Sequence, residues 1–206
     1  MFKRNDALIA VRDLFGDTPC FITVGLAWLE WCRARPSDGN FHLKTLGSGS
    51  SVGLGFALAM PHRKVAVLDG DGAVIMNVNG LVTVGRVRPK NLIHIVFDNK
   101  IYESSGCIPT ASAFNLDIAA FGKAAGIEKA RRVDNLDDFK AAVKEAFETD
   151  GPHFIVATVK PADEDANTSY SRLNEVEGKF KFIRYLEKME GRNLREDSID
   201  VKFSIH

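Results

Sequence analysis

Three cysteines, Cys20, Cys32 and Cys107, are all that the 206 residues hold, and no two form a Cys-x-x-Cys. An odd number at wide spacing argues against a disulfide framework, a structural zinc site and an iron–sulfur cluster. Net charge is missing too, since 27 basic residues balance 27 acidic ones. Without a global field, neither nucleic acid nor an anionic membrane surface is an expected partner. Long hydrophobic runs are also absent. The most apolar stretches, Val65–Leu68 and Leu92–Phe97, have the length of strands and fall far short of a membrane span. The opening residues Met1-Phe2-Lys3-Arg4-Asn5-Asp6 lack the apolar segment of a secretory signal, so a soluble cytoplasmic protein is expected.

What is present is alternation of helix and strand patterns, with no internal repeat. That order favours an α/β fold, a mainly parallel sheet with helices on both faces. The length suits one domain, residues 1–161, with an appendage over 162–206. Asn5 is placed to cap a first helix bearing Leu8, Val11, Leu14 and Phe15 on one side, and Gly16-Asp17 stops it. Cys20–Val24 reads as the first strand and 33–40 as a loop. Val52–Met60 reads as a buried helix that Pro61 ends. After the strand Val65–Leu68, one crossover helix is expected from Ala73 to about Val84, then the strand Leu92–Phe97. Asn115 is expected to cap a helix through Ala125. Asn135 is expected to cap another, whose buried face carries Leu136, Phe139, Val143 and Phe147. Phe154–Val159 is the last core strand. A polar linker, 162–172, leads to an amphipathic helix with Val176, Phe180, Ile183 and Leu186 on its apolar stripe.

Two polar residues stand at strand ends. Gly70-Asp71-Gly72 follows the strand Val65–Leu68, and Asp98-Asn99-Lys100-Ile101-Tyr102 follows Leu92–Phe97. Asp71 and Asn99 lie 28 positions apart, each just past a strand's carboxyl end, where open parallel sheets place ligands. A carboxylate and an amide oxygen suit a hard divalent cation such as Mg²⁺, which bridges readily to phosphates. The glycines let the backbone approach a diphosphate closely. A Gly-Asp-Gly by itself also makes an ordinary turn. The two strands, the intervening helix and the spaced Asn add the specificity.

Together these residues resemble the diphosphate-binding motif of thiamine diphosphate enzymes. The resemblance implies Asp71, the side chain of Asn99 and the carbonyl of Ile101 as Mg²⁺ ligands, with Gly70, Gly72 and Ala73 beside the diphosphate. Upstream, Lys44-Thr45-Leu46-Gly47 is similar to the family's Gly-Ser-Met-Gly segment. Leu46 then falls where the family carries the bulky apolar residue that bends the cofactor, and Lys44 replaces the usual Gly. Downstream, Tyr102-Glu103-Ser104-Ser105-Gly106-Cys107-Ile108-Pro109-Thr110 resembles the Tyr-x-Ser-x-Gly-x-x-Pro-Thr loop of sulfopyruvate decarboxylase beta subunits and phosphonopyruvate decarboxylases. Tyr102 and Ser104 are thereby implied near the diphosphate or the substrate, unless this is simply a hydrophilic surface loop. Cys107, where Gly is common, reads as packing, Glu103 as a solvated loop carboxylate, and His94 as a satisfied core group. His42, just before the cofactor loop, and the other histidines receive no catalytic role. Phe180, Phe182 and Tyr185 read as helix packing.

The resemblance spans roughly residues 4–160 and carries a consequence. In the family, the glutamate that activates the cofactor's aminopyrimidine belongs to a separate pyrimidine-binding domain, and no second α/β domain fits in 206 residues. The implied assembly is a hetero-oligomer with a pyrimidine-binding alpha subunit. The implied activity is decarboxylation of a small anionic 2-oxo acid. Three rivals share these motifs: an acetolactate synthase-like carboligase subunit, a 2-oxo acid oxidoreductase beta subunit, and a non-catalytic cofactor-binding or regulatory subunit. The missing Cys-x-x-Cys disfavours the oxidoreductase.

Overall fold

Strands form here where β-branched and aromatic residues run together, and helices where apolar residues return every third or fourth position. The structure, a computed structural model, describes residues 1–162 and 175–194. β1 (Phe2–Lys3) leads directly into α1 (Arg4–Val11) and a 3₁₀ turn, Arg12–Phe15. Then follow β2 (Cys20–Thr23), α2 (Leu26–Ala34), β3 (Asn40–Leu43) and α3 (Gly49–Ala59). β4 (Val65–Gly70), α4 (Asp71–Met76), α5 (Asn79–Val87) and β5 (Leu92–Asp98) carry the two motifs. A small hairpin, β6 (Ile101–Tyr102) and β7 (Ile108–Pro109), precedes α6 (Ile118–Ala124), β8 (Lys129–Val133), α7 (Leu136–Glu148), β9 (His153–Lys160) and α8 (Glu175–Glu190).

The main sheet is parallel, in the order β3-β2-β4-β5-β9, with β8 and β1 both pairing to β9. Helices cover both faces, as the α/β expectation required. Alternate residues of β4 and β5 feed opposite cores because strand side chains alternate in direction. Ala66, Leu68, Ile93 and Ile95 meet Leu8, Trp31 and Phe139 from α1, α2 and α7. Val65, Val67, Leu92 and Val96 meet Leu54, Leu81, Ile118 and Phe182 from α3, α5, α6 and α8. Both faces are therefore dry, which explains unbroken apolar runs in place of alternation. Among the described residues no helix is long and apolar enough to cross a membrane.

Several local expectations fail for identifiable reasons. α1 begins at Arg4 because Phe2 and Lys3 pair with Val159 and Lys160, so Asn5 lies inside the helix and caps nothing. The 3₁₀ turn leaves Leu14 exposed while Phe15 is buried. Residues 26–34 are a helix and 40–43 an edge strand, where only a loop at 33–40 was read. The crossover helix is two helices, broken at Asn77, whose side-chain N–H donates to the Gly47 carbonyl at 3.1 Å. Asp117 displaces Asn115 as the cap of α6, its carboxylate accepting the N–H groups of Ala119 and Ala120. A charged cap is favoured at that end of a helix. β8 had no recognised signal. Asn135 does cap α7, accepting Asp138 N–H at 2.9 Å. On α8 the buried stripe is Phe182 and Leu186, while Val176 and Phe180 face solvent. Residues 163–172 of the expected polar linker lie outside the described residues.

Candidate cofactor and cation site

Chain order along the sheet reverses at β2, with β3 on one side and β4 on the other. Such a reversal opens a crevice beyond the carboxyl ends of the strands. A cleft of about 100 Å³ lies there. Leu46, Gly70, Asp71, Gly72, Ala73, Asn99, Ile101, Tyr102 and Ser104 all border it. Lys44 and Thr45 do not. They border a separate groove along the outer edge of β3, beside Trp28 and a His42 ring stacked on that indole at 4.3 Å. Gly47 holds φ +80°, and an added Cβ would stand 2.7 Å from the Asn77 Cβ, so the loop between β3 and α3 needs glycine there. At Gly72 a Cβ would meet the Tyr102 ring at 2.3 Å, so that ring lies directly on the backbone of the Gly-Asp-Gly turn.

Asp71 is 3% exposed. Its Oδ2 accepts the Thr110 hydroxyl at 2.6 Å and lies 3.1 Å from the Ser112 hydroxyl. Burial pushes this carboxyl above the ordinary aspartate range, the nearby Asp98 charge adds to the effect, and the hydroxyl hydrogen bonds oppose it. Asn99 is also buried, its side-chain oxygen accepting Ile101 N–H at 3.0 Å. That bond holds the amide oxygen in place and leaves its second lone pair for another partner.

The loop after β5 differs from its expected character at two points. Glu103 is not solvated. Its side chain is 12% exposed, lies 3.1 Å from the guanidinium of Arg4, and accepts Ala162 N–H at 2.7 Å. Arg4 is itself buried and makes a two-pronged pair with Glu30 at 2.7 and 3.2 Å. Cys107 is not packing either: it is exposed and holds φ +57°, a conformation that suits the Gly expected there. His94 is half satisfied, with Nε2 3.3 Å from Asp69 and a buried Nδ1 without a hydrogen bond. Of the α8 aromatics, Phe182 packs on Phe21 and Phe41, whereas Phe180 is exposed.

Sequence reasoning missed the part played by Thr23–Ala27, which run from the end of β2 into α2 and line the cleft, and it missed Arg4. Only the strand order could have found them, because they lie far in sequence from both motifs. Ser112 was missed as well. Among the described residues no three His, Cys, Asp or Glu side chains group as a metal site. The donors that are present, one carboxylate, one amide oxygen and backbone carbonyls, nonetheless fit a hard cation that completes its shell with phosphate oxygens or water. The fit rests on Asp71, a buried carboxylate whose side-chain hydrogen bonds come from neutral hydroxyls alone.

Residues 31–157 match the family model of the C-terminal TPP-binding domain of thiamine pyrophosphate enzymes. The chain belongs to this family. Sulfopyruvate decarboxylase subunit beta of Methanothermobacter thermautotrophicus is 34% identical over 166 residues, covering 80% of this chain and 86% of that protein. Phosphonopyruvate decarboxylase of Streptomyces viridochromogenes is 36% identical over 156 residues, covering 75% of this chain. This chain spans only 39% of that relative's length. Among solved structures, benzoylformate decarboxylase from Polynucleobacter necessarius superposes with a TM-score of 0.62 at 23% identity, covering 77% of this chain and 33% of its own. That likeness establishes the fold, an α/β domain with a mainly parallel sheet, in which Asp71 and Asn99 stand at neighbouring strand tips.

Proposed function

We propose that this chain is the diphosphate- and Mg²⁺-binding subunit of a thiamine diphosphate-dependent 2-oxo acid decarboxylase. The substrate is a small anionic 2-oxo acid of the sulfopyruvate or phosphonopyruvate kind. The observation that carries this reading is the buried, uncompensated carboxylate of Asp71 opening on a cleft at the sheet's reversal point. The relatives named above support the substrate class. In this reading Asp71, the Asn99 side chain and the Ile101 carbonyl hold Mg²⁺. The N–H groups of Gly72 and Ala73 face the diphosphate. α4 spans only six residues, so these local donors matter more than a long helix's dipole. Leu46, 38% exposed at the cleft's edge, is the apolar support beneath the cofactor's rings. Lys44 and Thr45 serve only through the loop backbone. Thiamine diphosphate, when bound, supplies the electron sink for loss of CO₂.

The cleft also argues for a partner. Its roughly 100 Å³ falls well below the ~300–1,000 Å³ that enclose a ligand of this size. Two large apolar side chains on its border, Leu46 and Met76, are exposed, as at surfaces that another chain covers. Arg4 is the one basic residue bordering the cleft among those described, and Glu30 and Glu103 neutralise it. A pyrimidine-binding alpha subunit would therefore bring both the activating Glu and the cation for the substrate's anionic end, in a cytoplasmic hetero-oligomer.

Calorimetric titration with thiamine diphosphate and Mg²⁺, with and without such a partner, tests the assignment. Asp71→Ala is expected to abolish Mg²⁺-dependent cofactor binding while circular dichroism stays unchanged. Retained affinity would overturn it. Product analysis with pyruvate separates release of an aldehyde from the carboligation of an acetolactate synthase-like enzyme.

A further inference from the structure

The loop after β5 is tied down at its base. Thr110 N–H donates to the Lys100 carbonyl at 2.9 Å, closing the hairpin in which Ile101 pairs with Pro109 and Tyr102 with Ile108. Residues 104–109 are exposed, yet Thr110 and Ser112 turn inward, at 1% and 7% exposure. Buried hydroxyls require partners, and both find carboxylates. Thr110 Oγ1 lies 2.6 Å from Asp71 Oδ2. Ser112 Oγ lies 3.1 Å from that same oxygen, 2.7 Å from Asp98 Oδ1 and 2.8 Å from the Thr110 hydroxyl.

A count of protons shows how the charges are held. Each hydroxyl has one to give. By distance, Thr110 donates to Asp71, and Ser112 shares its proton in a three-centre bond, mainly with Asp98 and more weakly with Asp71. The other oxygen of Asp98 accepts from Arg132 at 2.9 Å, and Arg132 continues to Thr158 at 3.1 Å and Asp117 at 3.2 Å. Asp98 is thus neutralised from β8, whereas Asp71 meets hydroxyls and the Gly72 N–H but no cationic side chain among the described residues. Both hydroxyls crowd Oδ2 of Asp71, which fixes the carboxylate through that oxygen on the border of the cleft.

We infer that Ser112, together with Thr110, is a positioning residue for the cation: it locks the Asp71 carboxylate through a hydroxyl bridge to Asp98 and Arg132. The inference rests on the cofactor reading above and names residues outside the three expected ligands. Its physical basis is the strictness of the ion. Mg²⁺ demands near-octahedral oxygens at short range, whereas Ca²⁺ accepts varied geometry and longer bonds. Losing a group that orients a metal ligand commonly weakens binding about 10–100-fold. A loosened Asp71 should therefore penalise Mg²⁺ more than Ca²⁺.

The test titrates Mg²⁺ and, separately, Ca²⁺ into the chain with saturating thiamine diphosphate, alone and with the candidate pyrimidine-binding partner, by calorimetry. Ser112→Ala is expected to weaken Mg²⁺ about 10–100-fold and Ca²⁺ distinctly less, and Ser112→Thr to restore Mg²⁺. An unchanged Mg²⁺ affinity overturns the inference. So does an equal loss for both ions alongside a lower melting temperature, because that marks a merely structural serine. If Ser112→Ala does not fold, Thr110→Val compared with Thr110→Ser gives the same readout. A wild type that takes up neither ion, alone or with the partner, ends the cofactor reading and this one with it. A wild type that binds, beside an indistinguishable Ser112→Ala, ends this one alone.

Discussion

The two ends of the sheet treat buried polarity in opposite ways. At the amino ends of the strands the buried groups are donors, and they meet backbone carbonyls. Asn91 donates its side-chain amide to the carbonyls of Ala57, Met60 and Arg63 at 2.7–3.0 Å. Lys129 reaches the Asp150 carbonyl and the Thr149 hydroxyl, and Arg35 the carbonyls of Gly16 and Thr18. At the carboxyl ends around the Gly-Asp-Gly turn the buried groups are acceptors, Asp71, Asp98 and Asn99, with hydroxyls and Arg132 around them, while buried Arg4 stays bound to Glu30 and Glu103. One end is closed by side chains that satisfy loop carbonyls, which stabilises the fold. The other keeps a carboxylate without a counter-charge, which costs stability and suits a ligand.

The sharpest way to break this comparison is Asp71→Asn. It should lower Mg²⁺-dependent cofactor affinity by at least about 100-fold. It should also raise the melting temperature of the cation-free protein, since a buried uncompensated charge is removed while the two hydroxyls keep an acceptor. A lower melting temperature would mean that the carboxylate stabilises the fold after all. Next in size is Asn91→Ala, which removes a buried donor from three carbonyls, of which Met60's keeps the Arg63 N–H, and should cost roughly 3 kcal/mol in urea unfolding. Cofactor affinity should not change, and a parallel fall would show that the two ends are coupled.

The last effect, which only a change of pH reveals, is at His153, also at the amino end. Burial, followed by the charges of Lys129 and Lys64 and against that of Glu145, holds its pKa down to about 4. The unfolded chain takes up that proton near pH 6.5, so the contribution is complete above 6.5 and is lost as pH falls toward 4. At about 1.4 kcal/mol per pH unit the interval amounts to roughly 3 kcal/mol at most. His153→Gln should flatten the acid limb of stability between those pH values, measured by urea midpoints. An unchanged limb would place the acid sensitivity elsewhere.

Legibility in the sequence followed range. β2, β4, β5 and β9 were readable because strands buried on both faces must be continuously apolar, and Asn135 because its partner Asp138 lies three residues away. β3 was overlooked because Phe41 sits among Asp38, Asn40, His42 and Lys44, polar neighbours that mimic a loop, whereas α2 carries an apolar run, Leu26–Leu29, that is a readable signal. On α8 the sequence offers two apolar stripes, and the aromatic cluster of Phe21, Phe41 and Phe56 selected Phe182 over Phe180. Glu103 looked solvated because nothing local announces a buried arginine 99 residues away.

The primary structure on its own determined the fold class, the family, and the two strand tips bearing Asp71 and Asn99. Those depend on hydrophobic period and on contiguous motifs, which are local properties of the chain. Tertiary structure alone decided the rest: the wall formed by Thr23–Ala27, the Arg4–Glu30–Glu103 tie, and the hydroxyl bridge from Ser112 to Asp98. Each joins residues from separate elements, and in a buried site a group's charge and hydrogen bonding are set by what surrounds it in space.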